Sequence, residues 1–501
     1  MGQDTVNHKI SQWLEHRVKY IGTLMGNAFA IIISLVLLTI DYFTDISRLA
    51  DENIIYDRLT GIASLMVSIV IGISLTSFSV IFVVMQLASS QFSPRILRHF
   101  LANDVRIQQY IGLFIGTVGL CVMPMAASAL FHGRPFPITM GVGILLALYC
   151  LVWSYPRLIT YLSVNMNVAA IADKIKEDIV NEINALYSKN WQPGQPMLYA
   201  PLKPHAQSHL VNIKSCLKSG YLEHINYEKL NKLVTRFVDS HSWADGIFVY
   251  QKPVVGEFVM QGATTLLTIE TKTPLTLQQE TILQAAFEEI ADSVFSVNTF
   301  RSYTQDINFG VRKLVDIAIK AISPAVNDPT TCLNCIDQLG DIAFNLQKKL
   351  FPSDEAQKLE GRNIIANEFN FDLLIDFCFD QIFEWGKEDP TVVRRLLHTL
   401  ALLAENAENP YNLMVLIRQV RDMELQKIYT EQNIAERHIK ISGEKLVGIS
   451  NSLHHFEDVA KKRIDYLEKA GRLQHSSITG HPEIEAREKE AIHYLTVFAG
   501  R

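Results

Sequence analysis

The chain has 501 residues with 46 Lys and Arg against 52 Asp and Glu, a net charge of −6. That balance leaves no basic footprint for nucleic acid. Six scattered cysteines form no disulfide framework and fit a reducing compartment for the polar part of the chain.

Four apolar stretches crowd the first third, at about 21–40, 61–88, 107–131 and 138–156. A bilayer core of about 30 Å needs roughly 20 apolar residues in a helix, so residues 1–160 read as a transmembrane domain of four helices. The second span, at 1.5 Å per residue, would reach about 42 Å and must tilt or project. The third carries Pro124, a kink signal. His16, Arg17 and Lys19 precede the first span. The first loop is acidic, with Asp41, Asp45, Asp51, Glu52 and Asp57 against Arg48 and Arg58. The second is basic, with Arg95, Arg98 and Arg106 against Asp104, and Arg157 follows the fourth span. The positive-inside rule then places both termini in the cytoplasm of a multi-pass protein whose first partner is the lipid bilayer.

Ser64, Ser68, Gly72 and Thr76 fall four apart in the second span and so share one narrow stripe. The stripe either packs helices closely through small residues or lines a pore with hydroxyls. Gly22-x-x-x-Gly26 and Gly112-x-x-x-Gly116 are further close-packing spacings and suggest a homo-oligomer. No acidic or basic residue lies deep within a span, against proton relays and ion-coupled transport. At the exit of the second span, Gln86 and Gln91 lead to Ser93, Pro94 and Arg95. Ser93 is a good N-cap and Pro94 a good first helical residue, so a basic amphipathic elbow is expected there, anchoring at headgroups or gating.

Residues 161–205 read as a connecting helix and a Pro-rich linker, with Val168, Ile171, Ile175, Ile179 and Ile183 on one face. Residues 206–272 carry short Gly-punctuated strands, which predict a small β barrel or sandwich with a helix inserted at about Asn226–Phe237. Its halves resemble a biotinyl- or lipoyl-type sandwich, but no lysine sits at a hairpin tip, and no cofactor is expected. From 273 to 470 the pattern is helical. Thr276 with Gln279 forms a capping box, and Asn370, Asp389-Pro390 and Asn409-Pro410 mark helix starts. Residues 471–501 read as a partly disordered tail. The fold class is thus a four-helix membrane bundle joined to a cytosolic α+β part.

The densest segment runs from Gln305 to Thr330. A helix of about Thr304–Ile322 stops before Pro324, and Asp328 caps a second beginning at Pro329. Arg312 and Asp316 are four apart and can pair, or either can reach Asp306 or Asp328. Two readings stand: a structural helix–turn–helix, or a ligand or subunit-contact site of Asp306, Arg312, Asp316, Asn327 and Asp328. Asp372, Asp376, Asp380 and Glu384 form an acidic stripe that is either solvated, paired with Arg394 and Arg395, or cation-binding. Cys332-x-x-Cys335 lacks a second ligand pair and reads as core thiols rather than zinc or redox ligands. No metal site is expected. No His-Glu-x-x-His or Gly-x-Ser-x-Gly occurs, so no catalytic residues and no enzyme are expected.

The chain resembles a family of bacterial membrane proteins catalogued only as a domain of unknown function, number 2254. The resemblance rests on Gln86-Leu-Ala-Ser-Ser-Gln-Phe-Ser-Pro-Arg95, Ser219-Gly-Tyr221, Gln305-Asp306, Phe309-Gly310, Arg312, Ser323-Pro-Ala-x-Asn-Asp-Pro329, Phe371-Asp372 and Asp380-Gln381. It covers most of the chain and implies a bacterial inner-membrane location but no activity. The functions expected are a homo-oligomeric channel with a cytosolic gating part, or a membrane-anchored sensor or scaffold. An ion or small molecule would be the ligand.

Overall fold

The computed structural model describes residues 53–91, 105–130, 138–165, 168–198, 208–301, 305–357, 359, 363–436, 443–474 and 482–500, with five positions between 32 and 40. The chain divides into two compact units, Met1–Ala170 and Ile171–Arg501.

In the first unit, three long helices pack together: α1 (Asn53–Gln91), α2 (Val105–Leu130) and α3 (Ile138–Asn165). Val67, Val70 and Ile81 of α1 meet Ile107 and Phe114 of α2 and Ile144, Leu151 and Leu158 of α3. The spacings of three, four and seven put each set on one helix face. Phe78 meets the Phe114 ring edge-on at 6.2 Å. Gly112 and Gly116 are buried, as close packing requires.

Among the described residues, two helices are long and apolar enough to cross a membrane, over Ser64–Val84 and Gly143–Val164. This corrects the expectation of four. The segment at 21–40 lies almost wholly outside the described residues. The third expected span forms α2, whose side chains beyond Gly119 lie outside the described residues. Outward-facing apolar residues mark both candidates, with Leu65, Leu75 and Phe82 exposed on α1 and Leu146, Val152 and Trp153 on α3.

The boundary falls in the first turn of α4 (Val168–Leu186), whose buried residues Ile171, Ile175, Ile179 and Ile183 belong to the second unit. Strands β1 (His209–Lys214), β2 (Gly220–Ile225), β3 (Phe248–Gln251), β4 (Phe258–Val259) and β5 (Thr265–Thr271) follow, with helix α5 (Tyr227–Ser240) between β2 and β3. Helix α6 (Leu277–Val294) begins with the Thr276–Gln279 capping box and runs into β6 (Phe295–Asn298). A further strand, β7 (Ile364–Ile365), pairs parallel with β3. The sheets are open, four strands in the order β1-β5-β3-β7 and three in the order β4-β2-β6. Among the described residues no closed barrel forms, because β2 turns to β4 and β6 while β1 and β3 both pair with β5. One core joins both sheets to α5 and α6 through residues such as Ile213, Leu222, Leu230, Leu266 and Phe287. Burying such side chains contributes about 1.5–3 kcal/mol each. Gly220 is required where β2 meets β6, since a Cβ there would lie 2.6 Å from the Asn298 carbonyl oxygen.

The remaining helices are α7 (Ile307–Ala321), α8 (Pro329–Leu346), the short α9 (Asp354–Gln357), α10 (Phe371–Gly386), α11 (Pro390–Glu405), α12 (Pro410–Glu436), α13 (Gly443–Lys469) and α14 (Pro482–Phe498). Asp306, Asp328, Asn370 and Asp389 cap α7, α8, α10 and α11 through side-chain oxygens that accept backbone N–H bonds. Helix α13 packs against α11. Within the tail expected to be partly disordered, α14 buries Ala491 and Leu495. Arg421 of α12 sits over its Tyr494 and Phe498 rings, at 5.3 and 5.1 Å.

Candidate functional site

Ser64, Ser68, Gly72 and Thr76 all lie on the exposed face of α1. The Ser68 hydroxyl donates to the Ser64 carbonyl at 2.9 Å, and the Thr76 hydroxyl to the Gly72 carbonyl at 2.7 Å. An added Cβ at Gly72 would meet nothing within 4 Å. The hydroxyl residues that pack within this unit are instead Ser74 and Ser77. Gln86 is exposed near the end of α1 and Gln91 is its last residue. Ser93, Pro94 and Arg95, with the amphipathic elbow expected after them, lie outside the described residues.

The Gln305–Asp306 pair anchors the start of α7. Gln305 takes a φ of +56°, its backbone N–H donates to Glu182 at 2.9 Å, and its side-chain carbonyl accepts from the Ile225 N–H at 3.1 Å. Asp306 is 3% exposed. Its carboxylate accepts a two-armed bond from Arg301, at 2.8 Å from Nε and 2.7 Å from Nη2, and caps the Phe309 N–H at 3.0 Å. Burial pushes the Asp306 pKa up, against the opposing pull of Arg301, the Phe309 N–H and Lys313. Gly256, with a φ of +92°, passes directly over this pair. A Cβ there would come within 2.5 Å of Asp306 Oδ2 and 2.6 Å of Arg301 Nη2.

Two turns along α7, Arg312 pairs with Asp316 at 2.8 Å. It also donates from Nη1 to the Gln381 side chain and lies 6.0 Å from the Phe377 ring centre. Asn327 and Asp328 are at the far end of α7, about 22 Å from Asp306 at 1.5 Å per residue. Asn327 adopts a φ of +51°, a region asparagine tolerates better than most residues. Asp328 caps α8 and binds the Thr331 hydroxyl at 2.6 Å. The Ser323–Pro329 motif is therefore a helix–turn–helix junction, while Arg312, with Asp316 as its ion-pair partner, belongs to a separate place.

That place is a cleft of about 480 Å³. Val254–Glu257 of the β3–β4 loop, Arg301, Asn308, Arg312 and the α10 side, from Phe369 through Leu373, Asp376, Phe377 and Asp380 to Gln381, line it. A smaller cavity of about 40 Å³ adjoins it beneath Asn308, lined also by Tyr227, Asp306, Ser353 and Glu368. The expected pairing of the acidic stripe with Arg394 and Arg395 is not what forms. Asp372 pairs with Arg418 of α12, Asp380 accepts from Gln419 at 2.6 Å, and Glu384 pairs with Lys387 at 2.8 Å. Arg395 reaches Asp337 at 3.3 Å. Asp376 is half-buried, and burial first, then Asp372 and Asp380, push its pKa up to about 6. Burial also raises Glu257 and Asp380.

Two buried features lie outside the cleft lining. Lys313 is 1% exposed, 4.2 Å from the Phe309 ring centre, and burial lowers its pKa to about 7 against the pull of Asp178 and Asp306. Cys332 and Cys335 are in the core of α8, and burial pushes Cys332 up to about 12 and Cys335 up as well, so both stay thiols. Among the described residues no group of three or more His, Cys, Asp or Glu is arranged to hold a metal ion.

The cleft joins motif positions that are far apart in sequence, Arg312 and Asp380-Gln381, and the adjoining small cavity adds Gln305-Asp306. A family profile described as a predicted membrane protein (DUF2254) matches residues 20–402, which include every cleft-lining residue. The chain belongs to the DUF2254 family of predicted membrane proteins. Uncharacterised proteins of Mycobacterium bovis and Mycobacterium tuberculosis are similar to it, each 24% identical over 351 residues, or 70% of this chain. The match spans 63% of the length of those relatives. No solved structure matches the chain. Reading the DUF2254 motifs alone did not single out Gly256, Arg301, Asn308 or Phe377. Arg301 stands beyond the motif, and Phe377 carries no chemical signal until α10 places it opposite Arg312.

Proposed function

We propose that this DUF2254 protein is a membrane-anchored sensor whose C-terminal unit binds a small solute. The cleft between the β3–β4 loop, α7 and α10 carries the reading. It falls in the size range of small-molecule sites, roughly 300–1,000 Å³, and combines an apolar wall with convergent arginines and carboxylates. In this account the protein is multi-pass in a bacterial inner membrane. Both termini are cytoplasmic, as the loop charges favour, and the unit holding the cleft faces the cytoplasm. It binds rather than transforms its solute, and works as a homo-oligomer. Hydrogen exchange of the full chain in detergent, with a panel of small cations, anions and neutral solutes, tests it. At least one solute should slow exchange in 254–257, 307–312 and 371–381. A panel that leaves all three segments unchanged contradicts the reading.

A second reading, an oligomeric channel, draws support from one observation: the Ser64–Thr76 stripe is exposed on its own unit and so is available to another copy. Single-channel recording in bilayers tests it, and an electrically silent intact protein across ions and voltages counts against it.

A further inference from the structure

The ligand class follows from which charges in the cleft are already satisfied, and rests on the binding reading above. The lining carries Arg301 and Arg312 against Glu257, Asp376 and Asp380. Both arginines are committed to carboxylates that are not part of that lining. Arg301 gives Nε and Nη2 to Asp306, and Arg312 gives Nε to Asp316 and Nη1 to Gln381. The cations are thus neutralised from behind, and the acidic side is left in excess. Asp372, one turn before Asp376, takes up Arg418, whose charge also acts at longer range on Asp376 and Asp380, while the Asp380 carboxylate accepts from the neutral amide of Gln419. Among the described residues no hydrogen bond or ion pair closes on the Asp376 carboxylate. The burial and the neighbouring carboxylates that raise its pKa describe the same condition: the position favours added positive charge.

A second observation points the same way from the opposite wall. Asn308 Oδ1 is buried and has no hydrogen-bond partner among the described residues, although Asn308 lines both the cleft and the smaller cavity beneath it. A buried acceptor without a donor is costly, and a ligand N–H would satisfy it. Between these two groups the surface is apolar and aromatic, formed by Val254, Val255, Phe369, Leu373 and Phe377. Leu373 is exposed at the cleft. Aromatic faces receive cations favourably.

We infer that the cleft takes a small organic cation, a protonated amine on an apolar or aromatic body, with the ammonium between Asp376 and Asn308 and the body against Phe369 and Phe377. An anion would face the excess of carboxylates, and a neutral solute would leave the Asp376 carboxylate without a hydrogen bond or close ion pair.

Calorimetric titration of the full-length protein in detergent, at neutral pH, tests this with an isosteric series: phenethylamine, phenethyl alcohol and phenylacetate, with inorganic phosphate as a second anion. The amine should bind at least about tenfold more tightly than the other three. Asp376→Asn should weaken it by about tenfold or more, with unchanged melting or higher. Asp380→Asn, on the same wall, should weaken it less. Equal binding of alcohol and amine overturns the inference, as does an amine affinity indifferent to both substitutions or no binding of the amine at millimolar concentration. Preferential binding of phenylacetate or phosphate, lost in Arg312→Gln, overturns the cation class while leaving the cleft as a binding site. The solute panel with hydrogen exchange decides the binding reading separately.

Discussion

In α1 and α3 many large apolar side chains face outward, beside those that pack the three helices together, whereas in the β module most face inward. Leu75 of α1 is 61% exposed and Phe287 of α6 is fully buried, though both are greasy residues on helices. Polar groups are handled in contrasting ways too. The hydroxyls of Ser68, Thr76 and Ser79 bond to carbonyls of their own helix, four residues back. A helix in lipid must satisfy its polar groups without water in this way. In the second unit, charged groups are held in tertiary networks that span elements, as Arg301, Asp306, Gln305 and Glu182 are. The two regions satisfy their polar groups differently, and the cleft with convergent charge is in the second.

The contrast breaks most visibly at Arg301. Arg301→Ala leaves Asp306 buried without its partner, and should cost about 3–5 kcal/mol of stability, measured by denaturant unfolding of the detergent-solubilised protein. Next is the outward face of α1. Leu75→Arg should oppose membrane insertion by about 2.5–3.5 kcal/mol, read as a loss of membrane-integrated protein in an insertion assay. The same change at a water-facing site such as Leu402 should leave expression intact. Gly256→Ala is smaller, at about 1–3 kcal/mol for a non-glycine residue at positive φ, with the loop forced off the Arg301–Asp306 pair. It should also alter the cleft, so solute binding and melting should move together.

Asp376 carries the pH prediction. Its folded pKa of about 6 lies above the ordinary aspartate value of 3.8, so the native state holds this proton more tightly than the unfolded chain. The carboxylate therefore costs stability above about pH 6, and that cost fades as pH falls towards 3.8. Asp372 and Asp380 on α10 and Asp422 on α12 raise it, Arg418 on α12 lowers it, and Arg312 on α7 lines the facing wall. Asp376→Asn should then stabilise the protein at neutral pH by about 1 kcal/mol, after discounting for solvent screening of a half-exposed group. The gain should vanish in acid, as thermal melts across pH would record. The smallest effect belongs to the stripe: Ser68→Ala and Thr76→Val should change stability by less than about 0.5 kcal/mol, because each hydroxyl bonds only to its own helix.

Much of this was legible in the sequence wherever a local rule was sufficient. The Thr276–Gln279 box and the caps at Asp328, Asn370 and Asp389 are short-range chemistry, and each helix starts where its cap is written. The Arg312–Asp316 pair follows from helical spacing alone. What was not legible is what depends on long-range pairing. Strands β6 and β7 are four and two residues long and sit among helices. They form because β2 and β3 offer them open edges, which no local pattern announces. The barrel expectation failed for the same reason, since alternation predicts strands but not which edges meet. Of the five residues grouped around Arg312, Asp316 pairs with it, Asp306 pairs with Arg301 instead, and Asn327 and Asp328 lie a helix-length from Asp306. Proximity in sequence does not imply proximity in space, and the spacing of the acidic stripe on α10 does not say whether it is solvated, paired or part of a binding wall.

The central claim is that ligand chemistry resides in the cleft of the second unit rather than along the hydroxyl stripe of the first. Binding isotherms for phenethylamine on the full-length protein, comparing Asp376→Asn with the double substitution Ser68→Ala and Thr76→Val, test it most directly. The account predicts a loss of about tenfold or more in the first and wild-type affinity in the second. Wild-type affinity in Asp376→Asn, with loss in the stripe variant, would contradict it.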